Sequence, residues 1–152
     1  MGKVKPLMKY TLKLRRTSRR TNAAVFKLRR TERGWAGHFV RAHRCHFRRN
    51  TLLEYGAVKV VVSTVGLMED PLREGMFATI GHNRHFETMA FHAAKDGRYW
   101  DADVSRELTF RSPWAIANAD AEDLANDMHE IVVTEITQRM MDGELAEVNL
   151  SA

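Results

Sequence analysis

The sequence predicts an α+β domain, an antiparallel β-sheet of five to seven strands packed by a long C-terminal amphipathic α-helix. Three observations carry this. Much of residues 9–104 alternates apolar and polar residues, or runs in short β-branched stretches broken by Gly and Pro. Residues 120–142 instead repeat apolar side chains at three- and four-residue steps. At 152 residues, 44% hydrophobic and 28% charged, the chain fits one domain able to bury its own core. We read 1–152 as a single domain, basic and β-rich over 1–110 and helical over 112–143, with a short tail over 144–152.

The elements follow in order. Lys9 to Arg16 sets Tyr10, Leu12 and Leu14 against Lys9, Thr11, Lys13 and Arg15, the pattern of a half-exposed strand. Ala23 to Arg30 repeats it with Ala24, Phe26 and Leu28, which suggests a basic hairpin. The word KLRRT occurs at Lys13–Thr17 and again at Lys27–Thr31, but antiparallel pairing would set the two copies at opposite ends. Gly34 and Gly37 flank Trp35 in a turn, and His38 to Arg48 alternates again as a strand. Ala57 to Val65 is rich in β-branched residues and is expected at the centre of the sheet. Glu69 to Gly75 is a surface loop, and Phe77 to Ile80 a short extended piece. His85 to Ala93 and Tyr99 to Val104, joined by Lys95-Asp96-Gly97, make a second hairpin. Ser112-Pro113 can open a helix, with a stronger start at Asn118 or Asp120. Leu124, Met128, Ile131, Val132, Ile136 and Met140 form the expected apolar stripe, and Gly143 the stop.

Charge is divided unevenly along the chain. Residues 1–50 hold 16 Lys and Arg against one acid, Glu32, a net +15. Residues 51–152 hold 8 basic and 18 acidic side chains, a net −10. This asymmetry fits a polyanionic partner, an acidic protein surface, or a basic sheet neutralised by its own acidic helix. The bias is towards arginine, whose planar guanidinium binds phosphate through paired donors and stacks on bases. Arg15, Arg16, Arg19, Arg20, Arg29, Arg30, Arg33, Arg41, Arg44, Arg48 and Arg49, with Trp35 and the interleaved Phe26 and Phe39, are the candidate contacts to nucleic acid or a partner. They fit no helix-turn-helix, zinc-finger or RNP pattern, so recognition would be of backbone and shape. Pairing of these arginines with Asp120, Glu122, Asp123, Glu130 and Glu135 would instead mean internal compensation.

Catalytic signatures are weak. His38, His43 and His46 surround Cys45, yet strand parity would put His43 and Cys45 on one face and His38 and His46 on the other. His82, His85, His92, Asp101 and Asp103 are the low-ranked metal candidates, and His85 and His92 also alternate across faces. A metal-dependent hydrolase built on His85, His92, Asp101 and Asp103 is the alternative reading. Cys45 lies in a cationic stretch that would favour thiolate, without a hydrolase motif around it. No G-x-S-x-G elbow and no phosphate-cradling glycine loop is present, so no catalytic residue, metal or cofactor is assigned. The single cysteine excludes an internal disulfide framework. Val58 to Leu67, interrupted by Lys59, Ser63 and Thr64, is too short and polar to span a bilayer, and the early positive charge is followed by no signal core. A cytoplasmic protein without membrane contact is expected. The wide apolar stripe of 120–142, with Met128, Met140 and Met141, also allows a homo-oligomer.

The words ATIGHNRHFETMAFHA at Ala78–Ala93 and DGRYWDADVS at Asp96–Ser105 resemble segments of small accessory proteins carried by tailed phages, particularly actinobacterial ones. The resemblance implies a small protein made in the cytoplasm of an infected bacterium, acting on nucleic acid, host machinery or a defence system. It transfers no catalytic residue. The expectation is therefore a non-catalytic binding protein working through its basic N-terminal region on nucleic acid or an acidic host protein, with a virion or assembly component as a further reading.

Overall fold

The computed structural model describes residues 26–35 and 37–145. The expected first strand at Lys9–Arg16, the first KLRRT word, and Arg15, Arg16, Arg19 and Arg20 lie outside the described residues. Within them run β1 (Arg29–Arg33), β2 (Cys45–Tyr55), β3 (Val58–Glu69), β4 (Phe77–Ala78), β5 (Phe86–Asp96), β6 (Tyr99–Leu108), β7 (Ala115–Ile116) and α1 (Glu122–Met141). All seven strands join one antiparallel sheet, ordered β1-β2-β3-β5-β6, with β4 paired to the end of β3 and β7 to the start of β5. A single α+β domain is the result, with α1 against one face of the sheet.

β3 is central because its side chains can be buried on both faces. Val60, Val61, Val62 and Val65 are fully buried, and the register sets Val60 and Val62 opposite Leu53 and Thr51 of β2 and opposite His92 and Ala90 of β5. Two-residue turns close both long hairpins, with Gly56 (φ 58°) between Tyr55 and Val58 and Gly97 (φ 58°) between Asp96 and Tyr99. Leu67 (φ 54°) breaks the alternation of β3. As a result Leu67 packs with Phe47, Phe86 and Met128 beneath α1, whereas Val65 and Met68 pack with Cys45 and Ala42 on the opposite face.

α1 is amphipathic, but its buried stripe differs from the expected one. Ala125, Met128, His129, Val132, Val133, Ile136, Thr137 and Met140 face the sheet. Leu124 and Ile131 are 59% and 44% exposed. Two polar residues, His129 and Thr137, take inward positions, and this turns the stripe away from both aliphatic side chains. The contact buries Val132, Ile136 and Met140 with Leu53, Val62 and Ala90, each large side chain contributing roughly 1.5–3 kcal/mol. The helix opens at Glu122, not at Ser112-Pro113. Glu135 accepts from the Ser112 amide and hydroxyl, both at 2.9 Å, so that serine anchors a loop to the helix instead of capping one. Asn118 accepts from the Asp120 amide, forming a turn just before the helix.

The other face of the sheet is crossed by a strap of residues 37–44. The expected strand from His38 does not form there; Phe39 to Arg44 ends in a 3-10 turn (Ala42–Arg44), and extended structure begins only at Cys45. Gly37 permits the crossing, since a Cβ on it would stand 1.6 Å from Ser63 Oγ. Ala42 and Phe39 seat the far end on Val65, Met68 and Ile80. Apolar burial there replaces the backbone pairing a strand would have made.

Candidate nucleic-acid interface

The arginines divide into two sets. On the helix face, Arg30 of β1 grips Glu130 of α1 through two donors at 2.6 and 2.9 Å, and its Nε donates to Glu32 at 2.6 Å. Arg49 of β2 reaches the same Glu130 carboxylate at 2.8 Å. Arg30's hydrogen bond, opposed by partial burial and reinforced by Arg49, holds the Glu130 carboxyl down to about 2. Burial would raise Glu32, but hydrogen bonds from Thr51 and Arg30 outweigh it and leave its carboxyl below the usual range. These two arginines are internally compensated, by one of the five helix acids expected to do so. Arg29 stands 4.0 Å from Glu54.

Beneath that cluster runs a buried polar chain that periodicity alone could not find. Glu32, an ionised carboxylate, can only accept, so the Thr51 hydroxyl donates to it at 2.8 Å. Thr51 oxygen must then receive the His129 Nε2 hydrogen at 2.7 Å. His129 Nδ1 is left as acceptor of the Thr64 hydroxyl at 2.7 Å, and Thr64 in turn accepts from Thr88 at 2.7 Å. Burial, helped by the charge of Arg49, pushes the imidazole down to about 3 and keeps it neutral. The chain gives both ring nitrogens of His129 and the hydroxyls of Thr51, Thr64 and Thr88 hydrogen-bond partners and fixes the helix on the sheet.

On the strap face, Arg33 is nearly buried. Its Nε and Nη2 donate to Asn50 Oδ1 at 3.0 and 2.7 Å, its Nη1 to the Trp100 carbonyl, and Asp101 lies 3.7 Å away. Its guanidinium stacks 4.0 Å over Trp35. His38 locks the start of the strap, with Nδ1 3.0 Å from Ser63 Oγ and Nε2 2.8 Å from Glu87, which also accepts from Arg84 at 2.8 Å. A serine, a histidine and a carboxylate in line suggest a hydrolase, but Ser63 is fully buried and no substrate atom can reach it. The group is a clamp.

Arg41, Arg44 and Arg48 form the second set. Arg41 and Arg44 ride on the strap, and Arg48 projects from β2 on the same side, where its register partner is Val65. All three are exposed, and none makes an ion pair or side-chain hydrogen bond among the described residues. His43 is exposed between them. Because they lie on the face opposite α1, none can reach Glu130.

The metal candidates do not converge. His82 meets Asn83, and His85 Nδ1 meets the Ala117 carbonyl. Asp101 faces Arg33 and the Ala102 amide, and Asp103 accepts from Ser105 and Arg106. His92 is set on the helix face, opposite Val60. His46 pairs with Glu69 at 2.6 Å, and Cys45 is buried, its thiol pushed up to about 11 by that burial. Among the described residues no three His, Cys, Asp or Glu side chains are grouped as a metal ion requires. The hydrolase reading on His85, His92, Asp101 and Asp103 therefore has no assembled centre among them. None of the described helices is long and apolar enough to cross a membrane.

No protein-family model, curated protein or solved structure matches the chain.

Proposed function

We propose that the chain is a non-catalytic nucleic-acid-binding protein, an accessory factor of the phage type, and that it takes the phosphate backbone on the strap face. The observation that supports this is the division of the arginines. Arg30, Arg49 and Arg33 are consumed inside the fold, whereas Arg41, Arg44 and Arg48 hold three uncompensated guanidinium groups on one exposed side. Exposed guanidinium groups without a carboxylate partner attract a polyanion. The basic residues of 1–25 add to the same local charge along the sequence. Phosphate contact of this kind is independent of base sequence and falls steeply with salt.

The test is fluorescence anisotropy with labelled single-stranded and duplex DNA and RNA of unrelated sequence, from 50 to 200 mM salt. Binding that weakens steadily with salt is expected. Absence of binding to all four at the lowest salt overturns the reading and leaves an acidic protein as the partner to seek.

A further inference from the structure

The hairpin end of the strap face carries an aromatic group that the fold holds in place yet leaves open. Tyr99, the first residue of β6, is 59% exposed. Its ring nonetheless stands edge-to-plane against Trp35, with centroids 5.1 Å apart and an interplanar angle of 86°. Trp35 is fixed in turn by the Arg33 guanidinium stacked on it, and Arg33 by Asn50 and the Trp100 carbonyl. Beside them, Lys59 Nζ sits 4.9 Å from the centre of the Trp100 ring. An exposed tyrosine would ordinarily sample several rotamers. This one is the open end of a chain of contacts that begins at a guanidinium only 8% exposed.

Charge and position add to this. Arg98 lies in the turn that leads into Tyr99, Lys95 lies just before it, and Lys95 is the register partner of Trp100. The strap begins beside Trp35 at this end and carries Arg41 and Arg44 at the other, so the ring pair and the free guanidiniums are joined through one segment of the chain. By register Tyr99 lies opposite Asp96, four residues beyond the His92–Val60 pair, and Arg48 lies opposite Val65, five residues the other way, so the span between them is nine residues of strand, about 30 Å.

We infer that Tyr99, oriented by Trp35 and Arg33, is a stacking platform for an unpaired base, and that the nucleic acid taken on the strap face is single-stranded. The inference rests on the nucleic-acid reading and narrows it. A ring at the edge of a surface stacks only on a base whose face is free, which a duplex interior withholds. Phosphates of the same strand then run towards Arg41, Arg44 and Arg48.

The experiment compares wild type, Tyr99→Ala and Tyr99→Phe on a labelled twelve-nucleotide single strand of thymidines and on a duplex of the same length, with thermal melts of each protein. The expected result is tighter wild-type binding to the single strand, a loss of roughly fivefold or more for Tyr99→Ala, and affinity kept within about twofold by Tyr99→Phe. Melts should be unchanged, since the side chain is exposed. Equal single-strand affinity of Tyr99→Ala and wild type, or tighter wild-type binding to the duplex, overturns the inference and leaves the nucleic-acid reading standing. Failure of wild type to bind either ligand at 50 mM salt overturns the inference, and the nucleic-acid reading falls with it if single-stranded and duplex RNA are also not bound.

Discussion

Arg30 and Glu130, a hundred residues apart in sequence, are joined by two parallel hydrogen bonds of 2.9 and 2.6 Å. This fork ties the edge strand β1 to α1, and Arg49 completes it from β2. It converts part of the chain's charge asymmetry into an internal contact and separates arginines that stabilise the fold from arginines free to bind.

The fork makes stability depend on acid. The Glu130 carboxyl lies lower in the folded chain than its ordinary value of 4.5, so its contribution is complete above that pH and is lost as pH falls towards 2. Because the site is half exposed, Glu130→Gln should cost only about 1 kcal/mol at pH 7. Urea melts at pH 7, 4 and 3 should show the difference between wild type and variant shrinking with acid. A constant difference would contradict the assignment.

His129 should be neutral and carry its hydrogen on Nε2. Unfolded, the imidazole takes a proton near its ordinary 6.5, whereas folded it resists to about 3. The unfolded state therefore binds more protons in that window, and stability falls as pH drops through it. Nitrogen chemical shifts of His129 at pH 7 and 5 should report the same neutral tautomer. A charged ring at pH 5, or a hydrogen on Nδ1, would refute the direction of the Thr88–Thr64–His129–Thr51–Glu32 chain.

Gly66→Ala should destabilise by about 1–3 kcal/mol. Its Cβ would stand 2.2 Å from Phe86 Cδ1 and 2.8 Å from the His85 carbonyl oxygen. Gly34→Ala meets nothing within 4 Å and should change stability by no more than about 0.5 kcal/mol. Denaturant midpoints of the two variants measure the contrast, and similar values would count against the packing of β3 on β5.

The two sides of α1 should respond differently to substitution. Ile136→Ala opens a cavity at a fully buried site and should cost about 2–5 kcal/mol. Ile131→Lys alters a side chain 44% exposed and should stay within about 0.5 kcal/mol. A large loss at Ile131 would show that this side of the helix is covered, as the self-association expected of residues 120–142 would require.

The long elements were legible because their patterns are continuous. The β-branched run of 57–65 marks a strand buried on both faces, and three- and four-residue spacing marks α1. What could not be read was the side of α1 that turns inward, since that depends on His129 finding the hydroxyls of Thr51 and Thr64 on strands far away in sequence. The strap misled for a related reason. His38 to Arg48 alternates as a strand would, but Gly37 lets the chain descend onto Ser63, and His38 spends its nitrogens on Ser63 and Glu87. The charge split announced that compensation or binding was at stake, and only the faces of β1 and β2 divide the arginines between the two. Tyr99 carried no sequence signal beyond being aromatic beside a turn.

The most direct test of that division is the salt dependence of nucleic-acid binding in two variants. Replacing Arg41, Arg44 and Arg48 together by alanine should reduce the slope of log affinity against log salt by about 2, from three lost phosphate contacts on a single strand. Replacing Arg49 by alanine should lower stability and leave the slope unchanged. An unchanged slope in the triple variant, or a reduced one in Arg49→Ala, would contradict the account.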